Sequence, residues 1–351
     1  MKKLNSLCAS LLVTLAASAQ TATYTNPVIN RSAPDPTVVR ADDGTFYLYS
    51  TEDVTNLPIY SSKNLVNWTF VGTAFTDASR PQWLPEGRIW APCINRVGSQ
   101  YVLYYSKSVW GGEWDAGIGV ATSLSPTGPF TDHGNMFISK GIGIQNCIDP
   151  FYIEDGGRKY LFWGSFHGIY GCELSDDGMS LKAGAKPQQV AGSFMEGTYI
   201  KRRGGYYYLF GSAGTCCDGE RSTYRVTVGR SRSLFGPYVD RQGRPLLDNN
   251  FEVVLHRNQR VIGPGHNAEL VTDAEGSDWL LYHGFSADSA DEGRKVWLDR
   301  VDWVDGWPHI MGSSPSAVAA APVAEGMKNL TLSGLDPAHF ESNIEGRQTH
   351  L

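Results

Sequence analysis

Residues 33–50 read APDPTVVRADDGTFYLYS: a short acidic start, a β-branched stretch, a charged turn at Asp42-Asp43-Gly44, then an aromatic strand. The plan returns as APCINRVGSQYVLYYS (91–106), CIDPFYIEDGGRKYLFWGS (147–165), MEGTYIKRRGGYYYLFGS (195–212) and HNAELVTDAEGSDWLLYHG (266–284). Each reads as a hairpin, because strand-forming residues flank a Gly-containing turn. Taking Asp35, Cys93, Asp149, Glu196 and Asn267 as equivalent gives spacings of 58, 56, 47 and 71 residues. Those are the lengths of propeller blades enlarged by loops. Further strand signals lie between the hairpins, at 118–121 and 224–228. Long helical periodicity is absent. An all-β, five-bladed β-propeller is the expected fold. A β-sandwich would give no reason for a fivefold repeat.

The composition agrees with many short strands around a large core. The 351 residues are 41% hydrophobic and 12% aromatic, with 39 Gly and 18 Pro. Charged residues reach only 19%, against about 25% in ordinary domains. This balance excludes intrinsic disorder and coiled coil. The 30 basic against 36 acidic side chains leave no general basic surface for nucleic acid. Abundant aromatics with few charges suit neutral ligands such as sugars.

The first 19 residues read as a signal peptide. Lys2 and Lys3 form a basic start, an apolar stretch follows, and Ala17-Ser18-Ala19 makes an A-x-A cleavage site. The apolar run is too short for a membrane span, so a secreted or periplasmic protein is expected. Residues 20–312 are expected to make the propeller domain and 313–351 a low-complexity tail containing Ile344-Glu345-Gly346-Arg347, a protease-site-like sequence. Export permits disulfides, and Cys93, Cys147, Cys172, Cys216 and Cys217 remain after cleavage. No zinc-type spacing occurs among them.

Strand starts of a propeller converge on its axis, and three of the five equivalent positions are acidic: Asp35, Asp149 and Glu196. Gathered carboxylates repel and resist burial, so three at matched positions point to chemistry. The stretches around them carry a resemblance. NPVINRSAPDPTVVR, IDPFYIEDGGRKYLFWGSF and MEGTYIKRRGGYYYLFGSAG are similar, in that order, to motifs of glycoside hydrolase family 43. That family comprises exported five-bladed propellers acting on arabinose- and xylose-containing polysaccharides. GTCCDGERSTYRVTVGRSRSLFGPYVD, IGPGHNAEL and WLDRVDWVDGWP look like its endo-α-1,5-arabinanases.

The resemblance implies Asp35 as general base, Glu196 as general acid, and Asp149 as the residue that raises and orients the acid. Inverting glycoside hydrolysis requires an acid and a base on opposite faces of the bond; a closer pair would give retention. An exo-acting arabinofuranosidase or β-xylosidase is the alternative within the family, because Leu281-Tyr282-His283-Gly284-Phe285 departs from the run common in arabinanases. A catalytically inactive sugar-binding propeller is the alternative outside it.

In similar arabinanases the residue matching His266 faces a hydrated calcium ion, so Ca2+ is the one cofactor to test. Arg294 and Arg300 are candidates to neutralise the carboxylates. Trp90, Phe166 and Trp110 are expected to contact a plant cell-wall polysaccharide or oligosaccharide, with His167 and Trp114 on neighbouring loops. A monomer is expected. Cys93 and Cys147 fall at the starts of adjacent blades where relatives carry other residues, which suggests a disulfide between them.

Overall fold

The computed structural model describes residues 22–310, 318–325 and 327; the expected signal peptide and the protease-site-like sequence lie outside these. Five antiparallel sheets form five blades, so the fold is a five-bladed β-propeller. The first blade contains β2 (Thr37–Arg40), β3 (Phe46–Tyr49), β4 (Pro58–Ser62) and β5 (Thr69–Thr73); β1 (Thr23–Thr25) precedes it. In the second are β6 (Arg88–Val97), β7 (Gln100–Ser108), β8 (Gly117–Ser123) and β9 (Thr131–Ile138). The third has β10 (Phe151–Asp155), β11 (Arg158–Trp163), β12 (Ile169–Glu173) and β13 (Gln188–Ala191). Strands β14 (Met195–Arg203), β15 (Tyr206–Ala213), β16 (Arg225–Ser231) and β17 (Glu252–Leu255) build the fourth. In the fifth, β18 (Val261–Gly265) and β19 (Val271–Thr272) both pair with β20 (Asp278–Ser286), which continues to β21 (Arg294–Val304) and β22 (Trp307–His309).

Within the first four blades each strand pairs with the next in sequence, which short turns permit. The hairpins read from sequence are the two inner strands of each blade, with turns such as Gly156-Gly157 and Gly204-Gly205 in left-handed backbone. Two details differ. In the fifth blade the inner strand begins earlier, at Val261, and breaks between His266 and Leu270. In the second, β6 starts at Arg88 and shifts register between Trp90 and Cys93.

The core lies between blades rather than inside one. Large side chains such as Trp163, Tyr104, Tyr49, Tyr282 and Phe46 are fully buried there. Blade four is joined to its neighbours by one large cluster including Phe162, Trp163, Phe210, Tyr238 and Trp297. The ring closes through the N-terminal segment. Asn26 bonds both backbone groups of Leu298, at 2.8 and 2.9 Å, and Ile29 bridges Val296, tying this segment to β21 just before blade one begins. A further strand, β23 (Val318–Ala320), pairs with β1.

Candidate active site

One backbone device recurs at the entrance to every blade. Asp35, Ala91, Asp149, Gly197 and His266 all take left-handed φ, at 56°, 31°, 60°, 64° and 42°. Only Gly does so freely; the other four are held at a cost of about 1 kcal/mol or more each. The neighbouring blade supplies the hold. The amide of Asp35 donates to His283 Nδ1 (3.0 Å), Ala91 to Thr51 Oγ1 (2.7 Å), Asp149 to Ser106 Oγ (2.8 Å) and His266 to Ser212 Oγ (2.8 Å). Each acceptor lies in the last few residues of a preceding-blade strand or just beyond it: His283 in β20, Ser106 in β7, Ser212 in β15 and Thr51 after β3. The ring departs from this rule at one place. Gly197 donates instead to Asp149 Oδ2 (3.1 Å), and Ser165, the expected acceptor, gives its hydroxyl to Glu196 Oε2 (2.7 Å).

The true structural equivalents are therefore Asp35, Ala91, Asp149, Gly197 and His266. The sequence register was off by two at Cys93 and by one at Glu196 and Asn267, because bulges displace the side chains there. The three carboxylates nonetheless meet at one mouth: Gly197 links Glu196 to Asp149, and His266, next to Gly197, reaches Asp35.

Their environments differ. Asp35, Asp149 and Glu196 are only 8%, 5% and 8% exposed, so burial pushes every one toward the neutral form. For Asp35 that push is outweighed. Arg294 Nη1 lies 3.1 Å from Oδ1 and His266 Nδ1 3.3 Å, and Thr51 donates to Oδ2. Its carboxyl is held well below the usual range. Burial and Arg294 press His283 down to about 4, so this ring is uncharged near neutral pH.

Asp149 and Glu196 move the other way. Burial, then the charges of Glu196 and Asp35, hold Asp149 well above the carboxylate range. Glu196 is also raised, by burial first, against the opposing bonds from Ser165 and from Tyr224, whose hydroxyl donates to Oε1 at 2.8 Å. The pair titrates as a unit and retains a proton. An ionised carboxylate facing a proton-holding pair can activate water and protonate a leaving oxygen.

Around the mouth stand the expected aromatics. Trp90 immediately precedes Ala91, and its ring meets Trp110 edge-on at 6.3 Å. Trp110 is 82% exposed on the loop after β7. Phe166, partly exposed, follows Ser165, and its amide is held by Met195 O. Beside it His167 meets Glu113, which also accepts from Gln145 and so stitches the second blade's loop to the third. Of the two arginines, Arg294 reaches the cluster. Arg300 does not; it pairs with Asp302 on the surface at 2.9 Å.

The expected Cys93–Cys147 disulfide is absent: both are free, buried thiols. Cys93 Sγ accepts from Asn95 Nδ2 and the Tyr152 amide, whereas Cys147 donates to Ile144 O. The pair that closes is Cys216–Cys217. Among the described residues no three His, Cys, Asp or Glu side chains converge as a metal cage.

Sequence reasoning missed Thr51, Ser106, Ser165, Ser212, His283 and Tyr224. A signal was present, since three of the five hairpins end in the Ser that serves the ring, and the first is followed at once by Thr51.

Residues 24–308 match the model of the glycosyl hydrolases family 43. An extracellular exo-α-(1→5)-L-arabinofuranosidase of Cellvibrio japonicus is 34% identical, over 79% of this chain and 85% of its own. An extracellular endo-α-(1→5)-L-arabinanase of Bacillus subtilis is 31% identical, over 86% of this chain and 94% of its own. Among solved structures, an α-L-arabinanase of Cellvibrio cellulosa complexed with arabinohexaose superposes with a TM-score of 0.72 at 32% identity, covering 80% of this chain and 95% of its own.

Proposed function

The chain belongs to glycosyl hydrolases family 43, and from that premise we propose that it is an exported endo-acting hydrolase of α-1,5-linked L-arabinan, working with inversion. The observation that carries this reading is one buried cluster of three carboxylates in unlike settings: Asp35 is paired with Arg294 at 3.1 Å, whereas Glu196 is bonded to Ser165 and Tyr224 and lies beside Asp149. Asp35 takes a proton from water as it attacks the anomeric carbon. Glu196 gives a proton to the departing sugar oxygen, so the bond breaks without expelling an alkoxide. Asp149 accepts from the Gly197 amide beside Glu196, and the mutual repulsion of the two carboxyls favours the protonated acid. Trp90 and Trp110 offer flat faces to the sugar rings, and Phe166 borders the acid side.

Support for arabinan comes from relatives of both endo and exo name, each aligned over most of this chain. Digestion of linear α-1,5-arabinan by wild type and Glu196→Ala tests the proposal. A ladder of short arabino-oligosaccharides, lost in the variant, is the expected result. Arabinose alone would establish terminal release instead, and turnover of neither arabinan nor a pentoside would overturn both.

Calcium fits this site only as a hydrated ion. His266 would hold it through one imidazole nitrogen, water filling the rest of its oxygen-preferring shell, and its charge would favour the ionised form of Asp35. Stripping with a chelator is expected to lower activity and thermal midpoint, and added Ca2+ to restore both. Unchanged values in the stripped protein would exclude the ion.

A further inference from the structure

Resting on the hydrolase reading, we propose that the Cys216–Cys217 disulfide is a positioning element for catalysis, holding Tyr224 against Glu196. The two half-cystines sit in the loop joining β15 to β16 on the active-site face, Cys216 partly buried and Cys217 exposed. Bonding adjacent residues closes a small ring of both side chains and the peptide between them, which removes the torsional freedom of that link.

What the ring adjoins gives it consequence. Thr215, next to Cys216, clamps the two stems of the loop together. Its amide donates to Thr223 Oγ1 (3.0 Å), its hydroxyl accepts the Thr223 amide (3.0 Å), and its carbonyl accepts the amide of Tyr224 (3.1 Å). Beyond the ring, Asp218 closes the other side: its amide donates to Ser222 Oγ (2.8 Å) and its carboxylate pairs with Arg221. Tyr224 thus leaves a loop whose whole turn is cross-tied, and its hydroxyl lands 2.8 Å from Glu196 Oε1. The ring of Tyr224 stacks on His283, with centroids 5.6 Å apart and planes 15° from parallel. Tyr224 therefore touches the acid on one side and, through His283, adjoins the base on the other.

The chemistry of the test is selective. A dithiol gives two electrons and two protons to the disulfide, yielding two thiols and its own cyclic disulfide. Cys93, Cys147 and Cys172 are already thiols, so among the described residues this is the single bond it cuts.

Steady-state kinetics on linear arabinan would be measured for the oxidised, reduced and reoxidised wild type, for the Cys216→Ser/Cys217→Ser double variant, and for Tyr224→Phe. Reduction is expected to lower kcat roughly 10-fold with KM within about two-fold, and reoxidation to restore it. The double variant should match the reduced enzyme and ignore the dithiol. Tyr224→Phe should start low and also ignore it, because the link through which the disulfide acts is gone. An unchanged kcat after reduction overturns the proposal, as does an equal further loss in Tyr224→Phe. If the double variant fails to fold, the reduced wild type, with its thermal midpoint checked, still decides. Oxidised wild type without turnover on any arabinan would instead bring down the hydrolase reading, and this proposal with it.

Discussion

Ser165 occupies the place in its blade that Ser106 and Ser212 occupy in theirs, yet it serves a side chain rather than an amide. A hydrogen bond to a carboxyl that ionises during turnover is worth about 1.5–3 kcal/mol. Ser165→Ala is therefore expected to cut kcat by roughly 10- to 100-fold while leaving KM and the thermal midpoint nearly unchanged. An equal rise in KM would mean that Ser165 binds substrate instead. Glu269 invites a pH measurement away from the reacting groups. It accepts from Thr37 Oγ1 and the Val38 amide, and burial carries it from 4.5 to about 7. A raised carboxyl binds its proton more tightly folded than unfolded, so its contribution is full below pH 4.5 and lost as pH climbs through 7. Relative to wild type, Glu269→Gln should gain thermal midpoint steadily across that interval and hold the gain above it; a pH-independent difference would refute this.

Elements were legible where their signals were local. A Gly-containing turn between β-rich runs announces a hairpin, and all five hairpins are where that pattern puts them, the fifth as the short β19–β20 pair. Outer strands such as β5, largely exposed, carry no comparable alternation. The left-handed entrances were hidden for another reason: nothing local in Asp35 or Ala91 requires that conformation, which the preceding blade imposes. Hence the carboxylates were found but their register was not, and Tyr224 passed as one more strand residue. The fifth blade's inner strand offers a test at this scale. A Cβ on Gly265 would fall 2.2 Å from Tyr224 Cδ1, far inside contact distance. Gly265→Ala should displace the ring and lower kcat by at least about 10-fold, with a thermal loss of about 1–3 kcal/mol from overpacking. Wild-type kinetics in a folded Gly265→Ala protein would show that the tyrosine's place is not needed.

Across the whole molecule, stability depends on closing the circle. Asn26 supplies the closure as a side chain imitating a strand's backbone, satisfying both polar groups of buried Leu298. Removing it leaves the buried Leu298 amide without its acceptor, at about 1–3 kcal/mol, while the Tyr24 hydroxyl still donates to the carbonyl. Asn26→Ala is expected to lower the denaturant midpoint by an amount equivalent to about 1–3 kcal/mol, monitored through tryptophan fluorescence, with the transition remaining single. A two-step transition would instead mean that the blades unfold separately. No described helix is long and apolar enough to cross a membrane, which leaves the exported reading to the N-terminal residues.

The amide ring at the blade entrances has a consequence for inheritance. Asp35 is encoded in the first blade but posed by His283 of the fifth, and Asp149 in the third but posed by Ser106 of the second. No blade owns its working residue. A chimera that exchanges one blade as a cassette would import a carboxylate without its holder and strand the holder left behind. Recombination that preserves activity should place its crossovers inside blades, between the second strand and the third, so that each acceptor travels with the following blade's entrance.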